Sequence, residues 1–130
     1  MHLTLPIYWV DKKKTIKDKT YLVGLNQLFL MHYQVRNKLK QHFHSLVGNQ
    51  VKEFTPITTK FTVHYDLYYK NINSDPSNII AGIEKVLLDG LQEYSIVQGD
   101  SPKYHMGTTW TVAGQDKTNP RVEITIKGMK

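Results

Sequence analysis

The chain has 130 residues, a length that suits one domain with one hydrophobic core over residues 1–130. Its apolar fraction of 40% is ordinary for a globular protein, and no apolar run approaches the roughly 20 residues of a membrane span. Cysteine is absent, which excludes disulfides, thiolate zinc sites and a cysteine nucleophile, while the net charge of +6 favours polyanionic partners, because each neutralised phosphate releases condensed counterions.

The N-terminus, MHLTLPIYWVDKKK, places its positive charge after a short apolar stretch. A signal peptide has the opposite order, so the chain reads as one without an export signal, and the lack of cysteine fits a reducing cytoplasm. LTLPIYWV predicts a short first strand, with Pro6 arguing for an edge or a bulge. A basic loop follows through about residue 20, where DKKKTIKDK holds five lysines in nine residues. Lys12, Lys13, Lys14 and Lys17 are candidates for gripping phosphate; a solvated loop accounts for them equally well.

From about 24 to 46, Leu25, Leu28, Phe29, His32, Val35, Leu39, Phe43 and Leu46 recur at helical spacing, and Gly48 with Asn49 supplies a stop. The outer face carries Arg36, Lys38 and Lys40, a second strip for phosphate contact or simply a solvated face. TKFTVHYDLYYK alternates cleanly and predicts a half-buried strand with Phe61, Val63, Tyr65, Leu67 and Tyr69 on one side. The turn NINSDPS separates it from a second helix over about 77–93. The last third reads as a hairpin, with strands near 104–112 and 121–127 around a loop rich in Gly, Asp, Asn and Pro. The order β-α-β-α-β-β predicts an α+β domain (α/β in the broad sense): a small mixed sheet of about four strands with two main helices.

At about 100° per residue, Asn78, Gly82, Lys85 and Asp89 share a narrow sector of the second helix, opposite Ile79, Ile80, Ile83, Val86, Leu87 and Leu91. Any amphipathic helix has such a strip, and Lys85 and Asp89 have the spacing of an i,i+4 ion pair. Asp75 precedes the helix, where a carboxylate caps exposed N–H groups or, in a site, binds magnesium. Asp100, in VQGDSPK, is a further loop carboxylate. Aspartate-bound magnesium with a nearby lysine is chemistry that cuts phosphodiesters.

This order of residues resembles the RusA family of Holliday junction resolvases, common in phages and prophages. The family pattern is an Asp, one residue, a second Asp, then Asn; next a helix with Lys and an ending like Asp-Ala-Leu; then a loop with Asp-Asp. Here DPSN provides Asp75 and Asn78, IEKVLLDGL provides Lys85, Asp89 and Leu91, and VQGD provides Asp100. GLNQ near the start of the first helix and the segments TTWTVAG and RVEITIKG extend the likeness over most of the chain. Ser77 stands where the family often has its second aspartate, and Gly99 where it has the first of the loop pair. The interval from Asn78 to Lys85 is about one helical turn longer than in the shortest members.

The resemblance implies a magnesium-dependent (or manganese-dependent), structure-selective endonuclease that resolves four-way junction DNA as a homodimer in the cytoplasm of a bacterial host. Its implied metal ligands are Asp75 and Asp100, with Asp89 a weaker third. Lys85 orients water or offsets developing charge, and Asn78 positions the metal shell or caps the helix. Lys12, Lys13, Lys14, Lys17, Arg36 and Lys38 would hold phosphates. Residues 94–100 can span roughly 23 Å when extended, so the expectation is that the loop folds back to bring Asp100 to Asp75; a meeting across a dimer interface is the alternative. Two rival readings are a junction-binding protein that no longer cuts, favoured by Ser77 and Gly99, and a basic RNA-binding domain using the Tyr-rich strand. A histidine metal site is disfavoured, since His42 and His44 at i,i+2 face apart on a helix.

Overall fold

A computed structural model describes residues 1–13 and 16–129. The elements are β1 (His2–Pro6), β2 (Tyr8–Asp11), β3 (Lys19–Leu22), α1 (Leu25–Leu30), α2 (Tyr33–Val51), β4 (Lys60–Tyr69), α3 (Pro76–Glu93), β5 (His105–Gln115) and β6 (Arg121–Met129). The α+β class expected from the sequence is present, with more elements than expected.

The first strand divides at Ile7. β1 joins the main sheet as an edge strand ending at Pro6, and β2 turns away to pair with β3. That short hairpin is held to the body by Trp9, which stacks on Tyr21 with ring centroids 5.8 Å apart, and by the Val23 N–H donating to the Ile7 carbonyl at 2.8 Å. Lys12, Lys13 and Lys17 of the basic stretch therefore lie between the two strands of a hairpin. The first helix also divides. Met31 adopts an extended backbone, and His32 caps α2 by accepting from the Gln34 N–H through Nδ1 at 3.2 Å. Leu28 and Met31 remain in the core, whereas Phe29 and Leu30 point outward. Gly48 does not stop the helix: α2 runs on to Val51, and a Cβ on Gly48 would lie 2.3 Å from the Tyr94 ring. It is a glycine of close approach.

The main sheet has the order β1-β6-β4-β5, with β4 parallel to β5 and antiparallel to β6. The last two strands thus form no hairpin; β4 lies between them. The crossover through α3 makes β4 and β5 parallel neighbours, and β6 then returns on the other side of β4. Burial explains that choice. Val122, Ile124 and Ile126 of β6 are 0–1% exposed and suit a central strand, while β5 carries Trp110 and Val112 at 42% and 43%.

α2 and α3 cover one face of the sheet, meeting Leu3, Leu5, Phe61, Val63, Tyr65 and Leu67. On α3, Ile79, Ile83 and Leu87 are fully buried, each contributing roughly 1.5–3 kcal/mol. Asp75 and Pro76 start this helix as cap and first residue. Gly82 lets α3 approach the α1 entry loop: a Cβ there would lie 2.6 Å from the Val23 carbonyl oxygen and the Gly24 carbonyl carbon. Among the described residues no helix is long and apolar enough to cross a membrane.

Candidate nucleic-acid interface

The polar strip of α3 opens onto a groove beside α2. Lys85 lies in it with Arg36 and Lys40 of α2, over a floor of Leu28 and Phe29 from α1. Arg36 is held by donating from Nη1 to the Leu28 carbonyl at 3.3 Å. The groove continues past Lys40 to His44, Asp89, Gln92 and Glu93, with His44 Nδ1 in close contact with Glu93. Arg36, Lys40 and His44 are spaced i, i+4, i+8 and so line one side of α2. Lys85 and Asp89 do not bond each other among the described residues: Asp89 is in none of the ion pairs, and Lys85 faces cations instead.

Lys38, two residues from Arg36, points elsewhere. Its ammonium lies 3.4 Å from Oδ1 of Asp11, a carboxylate only 2% exposed, whose Oδ2 has no partner. Lys38 therefore serves first as the partner of Asp11, while its side chain stays 59% exposed. In the hairpin tip, Lys12 and Lys17 are exposed and Lys13 is half-buried, its N–H donating to Asp18 Oδ1 at 3.2 Å. Lys14 lies outside the described residues.

Asp75 is the α3 cap. Its Oδ1 accepts from the Ser77 hydroxyl at 2.8 Å, the Ser77 N–H at 3.1 Å and the Asn78 N–H at 3.4 Å. These bonds, the Ser77 hydroxyl foremost, hold its pKa below the ordinary aspartate value. Asn78 is not a cap. It clamps α1 to α3, accepting from the Asn26 N–H through Oδ1 and donating from Nδ2 to Gln27 Oε1, both at 2.9 Å. The GLNQ segment and DPSN are therefore joined in space, and both line a shallow pocket with Asp75, Ser77 and Ala81.

Asp100 is at the other end of the molecule. The loop carrying it is pinned to the start of β4, where the Ile57 N–H donates to the Ile96 carbonyl at 2.7 Å and the Phe61 N–H to the Tyr104 carbonyl at 2.8 Å. Asp75 follows the far end of β4. The 18 residues of α3 run between the two, about 27 Å. The expected return of the loop does not occur, because both β5 and its leading loop start where β4 starts. Gly99 rests on Tyr104, whose ring a Cβ would approach to 2.9 Å. Among the described residues no three His, Asp or Glu side chains are grouped to hold a metal ion.

The Tyr-rich strand offers no open stacking surface. Phe61 and Tyr65 are fully buried, and Tyr68 lies under the Arg121 guanidinium, 4.0 Å from the ring centroid. No protein-family model matches this chain, and no curated protein matches it. The likeness to the RusA family therefore stands on the residues quoted above. Lys40 was visible in the sequence as part of the outer strip; its i,i+4 spacing from Arg36 was the signal that pairs it, rather than Lys38, with the groove. Asp11 gave no such signal.

Proposed function

We propose that this chain binds branched DNA as a homodimer and cuts it, as a structure-selective endonuclease of the RusA type acting on four-way junctions. One observation carries the reading: Lys85, the cation marked by the resemblance, shares an open groove with Arg36 and Lys40, two residues singled out by charge alone. Three cations over an apolar floor suit a phosphate backbone, which they position without reading sequence. Within such a seat Lys85 offsets charge that develops on a phosphate during cleavage. A two-fold dimer matches the two-fold symmetry of the junction and its need for paired cuts. The reading needs Mg2+ or Mn2+; Asp75 and Asp100 of one chain lie at opposite ends of α3, so these two would share an ion only between two copies. The setting that suits this activity is the bacterial cytoplasm, with the protein encoded by a phage or prophage.

A second reading, a junction-binding protein that does not cut, is favoured by Asp75 being engaged as a cap and by Ser77 and Gly99 replacing carboxylates. Incubation of a synthetic four-way junction with the protein in Mg2+ and in Mn2+, alongside Asp75→Asn, separates them. The endonuclease cuts as wild type, and the variant binds but does not cut. Binding without cutting in both metals selects the second reading, and equal cutting by both proteins removes Asp75 from the mechanism.

A further inference from the structure

Phosphate contact leaves one member of the groove without a task. Leu28 and Phe29 are neighbours on α1, yet Leu28 is buried in the core and Phe29 is 66% exposed. Among the described residues the Phe29 ring stacks on no other aromatic ring, and it is not one of the apolar side chains packed against the core. The backbone that presents it is held on both sides. The Leu28 carbonyl accepts from Arg36 Nη1 at 3.3 Å, and Asn78 ties the neighbouring Asn26 and Gln27 to α3. A large apolar ring is thus kept open to water by a fixed backbone, the kind of exposure that marks a contact surface. It faces a cavity of about 270 Å³ that it shares with Arg36, Lys40 and Lys85.

Three cations around one aromatic ring select the occupant. An apolar protein segment laid on the ring would take Lys40 and Lys85 out of water, and neither has a carboxylate partner among the described residues. A phosphate backbone by itself gives the ring nothing to touch. An unpaired nucleotide answers both needs: its phosphates meet the cations and its base lies flat on the ring. A paired base cannot do this, because its faces are covered by the bases above and below and only its edges show in the grooves. Phenylalanine carries no hydrogen-bonding group, so the contact is tolerant of base identity. We infer that the groove holds an unpaired nucleotide with its base stacked on Phe29, and that the preferred substrate is branched DNA carrying a single-stranded stretch rather than a fully paired junction. The inference rests on the groove being the nucleic-acid site of the proposed function; it does not rest on cutting.

Fluorescence anisotropy with four labelled probes tests this: a strand of about 12 thymidines, an abasic strand of equal length and charge, a fully paired four-way junction, and the same junction with a short single-stranded gap at its centre. The wild type should bind the thymidine strand more tightly than the abasic one, and the gapped junction more tightly than the paired one. Phe29→Ala should weaken thymidine binding by roughly 5- to 150-fold, which abolishes both preferences. It should leave abasic binding and its salt dependence unchanged, since no phosphate contact is lost. Phe29→Trp should restore the preferences. The ring is exposed, so neither change should move the thermal unfolding midpoint. Equal wild-type affinity for the thymidine and abasic strands overturns the inference. So does a folded Phe29→Ala that keeps the preference, which would assign the ring to a protein contact instead. If binding of all four probes weakens alike in Lys85→Met and no base preference is seen, the groove stands and the stacking falls. A base preference that depends on Phe29, in a protein that cuts no junction in Mg2+ or Mn2+, upholds the stacking and removes the endonuclease reading alone. Failure to bind any probe overturns both.

Discussion

Lys38 Nζ sits 3.4 Å from Asp11 Oδ1, joining α2 to the base of the basic hairpin. The pair is uneven, since Lys38 is 59% exposed and Asp11 2%. Removing the lysine leaves a buried carboxylate that already has one oxygen without a partner. Lys38→Met should therefore destabilise the protein by about 1–3 kcal/mol in urea unfolding, more than a surface lysine and less than a fully buried pair. Asp11→Asn in the same chain should restore part of the loss, because the uncompensated charge is gone. A stability for Lys38→Met equal to wild type would show that the pair has no structural weight.

Lys40 and Lys85 should behave in the opposite way. Both line the groove, and neither is in an ion pair among the described residues. Lys40→Met and Lys85→Met should leave stability within about 0.5 kcal/mol of wild type. Each should lower the slope of log affinity against log salt by about 0.9 for every phosphate contact removed, measured by fluorescence anisotropy with a labelled junction. Unchanged slopes in both variants would place the DNA elsewhere on the protein.

The difference between these lysines marks how far the sequence could be read. Arg36, Lys38 and Lys40 form one strip on paper. Helical geometry sends Lys38 toward the hairpin and the other two toward α3, and the spacing already contained that division. The alternation of β4 and the apolar side of α3 were equally legible, because a single strong period fixes which residues are buried. The break at His32 was not, since the apolar spacing continues across it and only a side-chain cap interrupts the backbone. The final pair of strands looked like a hairpin because sequence neighbours usually pair. Its true arrangement depends on the α3 crossover, a non-local feature. For the same reason the separation of Asp75 from Asp100 was hidden: it follows from the parallel direction of β5.

Two glycines should respond oppositely to alanine. At Gly82 a Cβ would strike backbone atoms of Val23 and Gly24 at 2.6 Å, and backbone at a helix crossing has little room to retreat. Gly82→Ala should cost about 1–3 kcal/mol and loosen the α1–α3 contact that Asn78 clamps. At Gly107 a Cβ meets nothing within 4 Å, so Gly107→Ala should be neutral or slightly stabilising through reduced freedom of the unfolded chain. Urea midpoints of the two variants check this, and equal midpoints would contradict the close approach at Gly82.

Alkaline pH should unfold the protein through Tyr65. Its hydroxyl is buried and donates to Glu84 Oε1 at 3.3 Å. Burial first, and then the neighbouring Glu84 charge, raise its pKa well above the ordinary 10.0. A folded-state pKa above the unfolded one means that the unfolded chain loses the proton first. The contribution is whole below pH 10.0 and declines as the pH rises from there through the folded-state value. Tyr65→Phe should flatten the fall in stability above pH 10.0, while losing some stability at neutral pH because Glu84 loses a donor. A wild-type stability that does not change between pH 9 and 11 would be inconsistent with a buried phenol.

Asp75 combines a structural task with its proposed chemical one, and the two can be separated by choice of substitution. As a cap it uses Oδ1 alone, accepting from the Ser77 hydroxyl and the Ser77 and Asn78 N–H groups. Asparagine keeps an oxygen in that position and is itself a good cap, so Asp75→Asn should leave the melting temperature near wild type; Asp75→Ala removes the acceptor and should lower it. The depressed pKa adds a test by acid titration. The carboxylate stays ionised down through the usual aspartate range, so its stabilising effect is complete above 3.8 and is lost only as the pH falls below that value through the folded-state pKa. Ser77→Ala deletes the largest cause of the shift and should move the Asp75 side-chain carbon resonance toward an ordinary aspartate titration. If Asp75 acts only as a cap, Asp75→Asn should retain any junction cleavage the wild type has. If its negative charge is needed for chemistry, cleavage should vanish while the melting temperature and junction binding persist, and binding should tighten as a negative charge near the phosphates is removed.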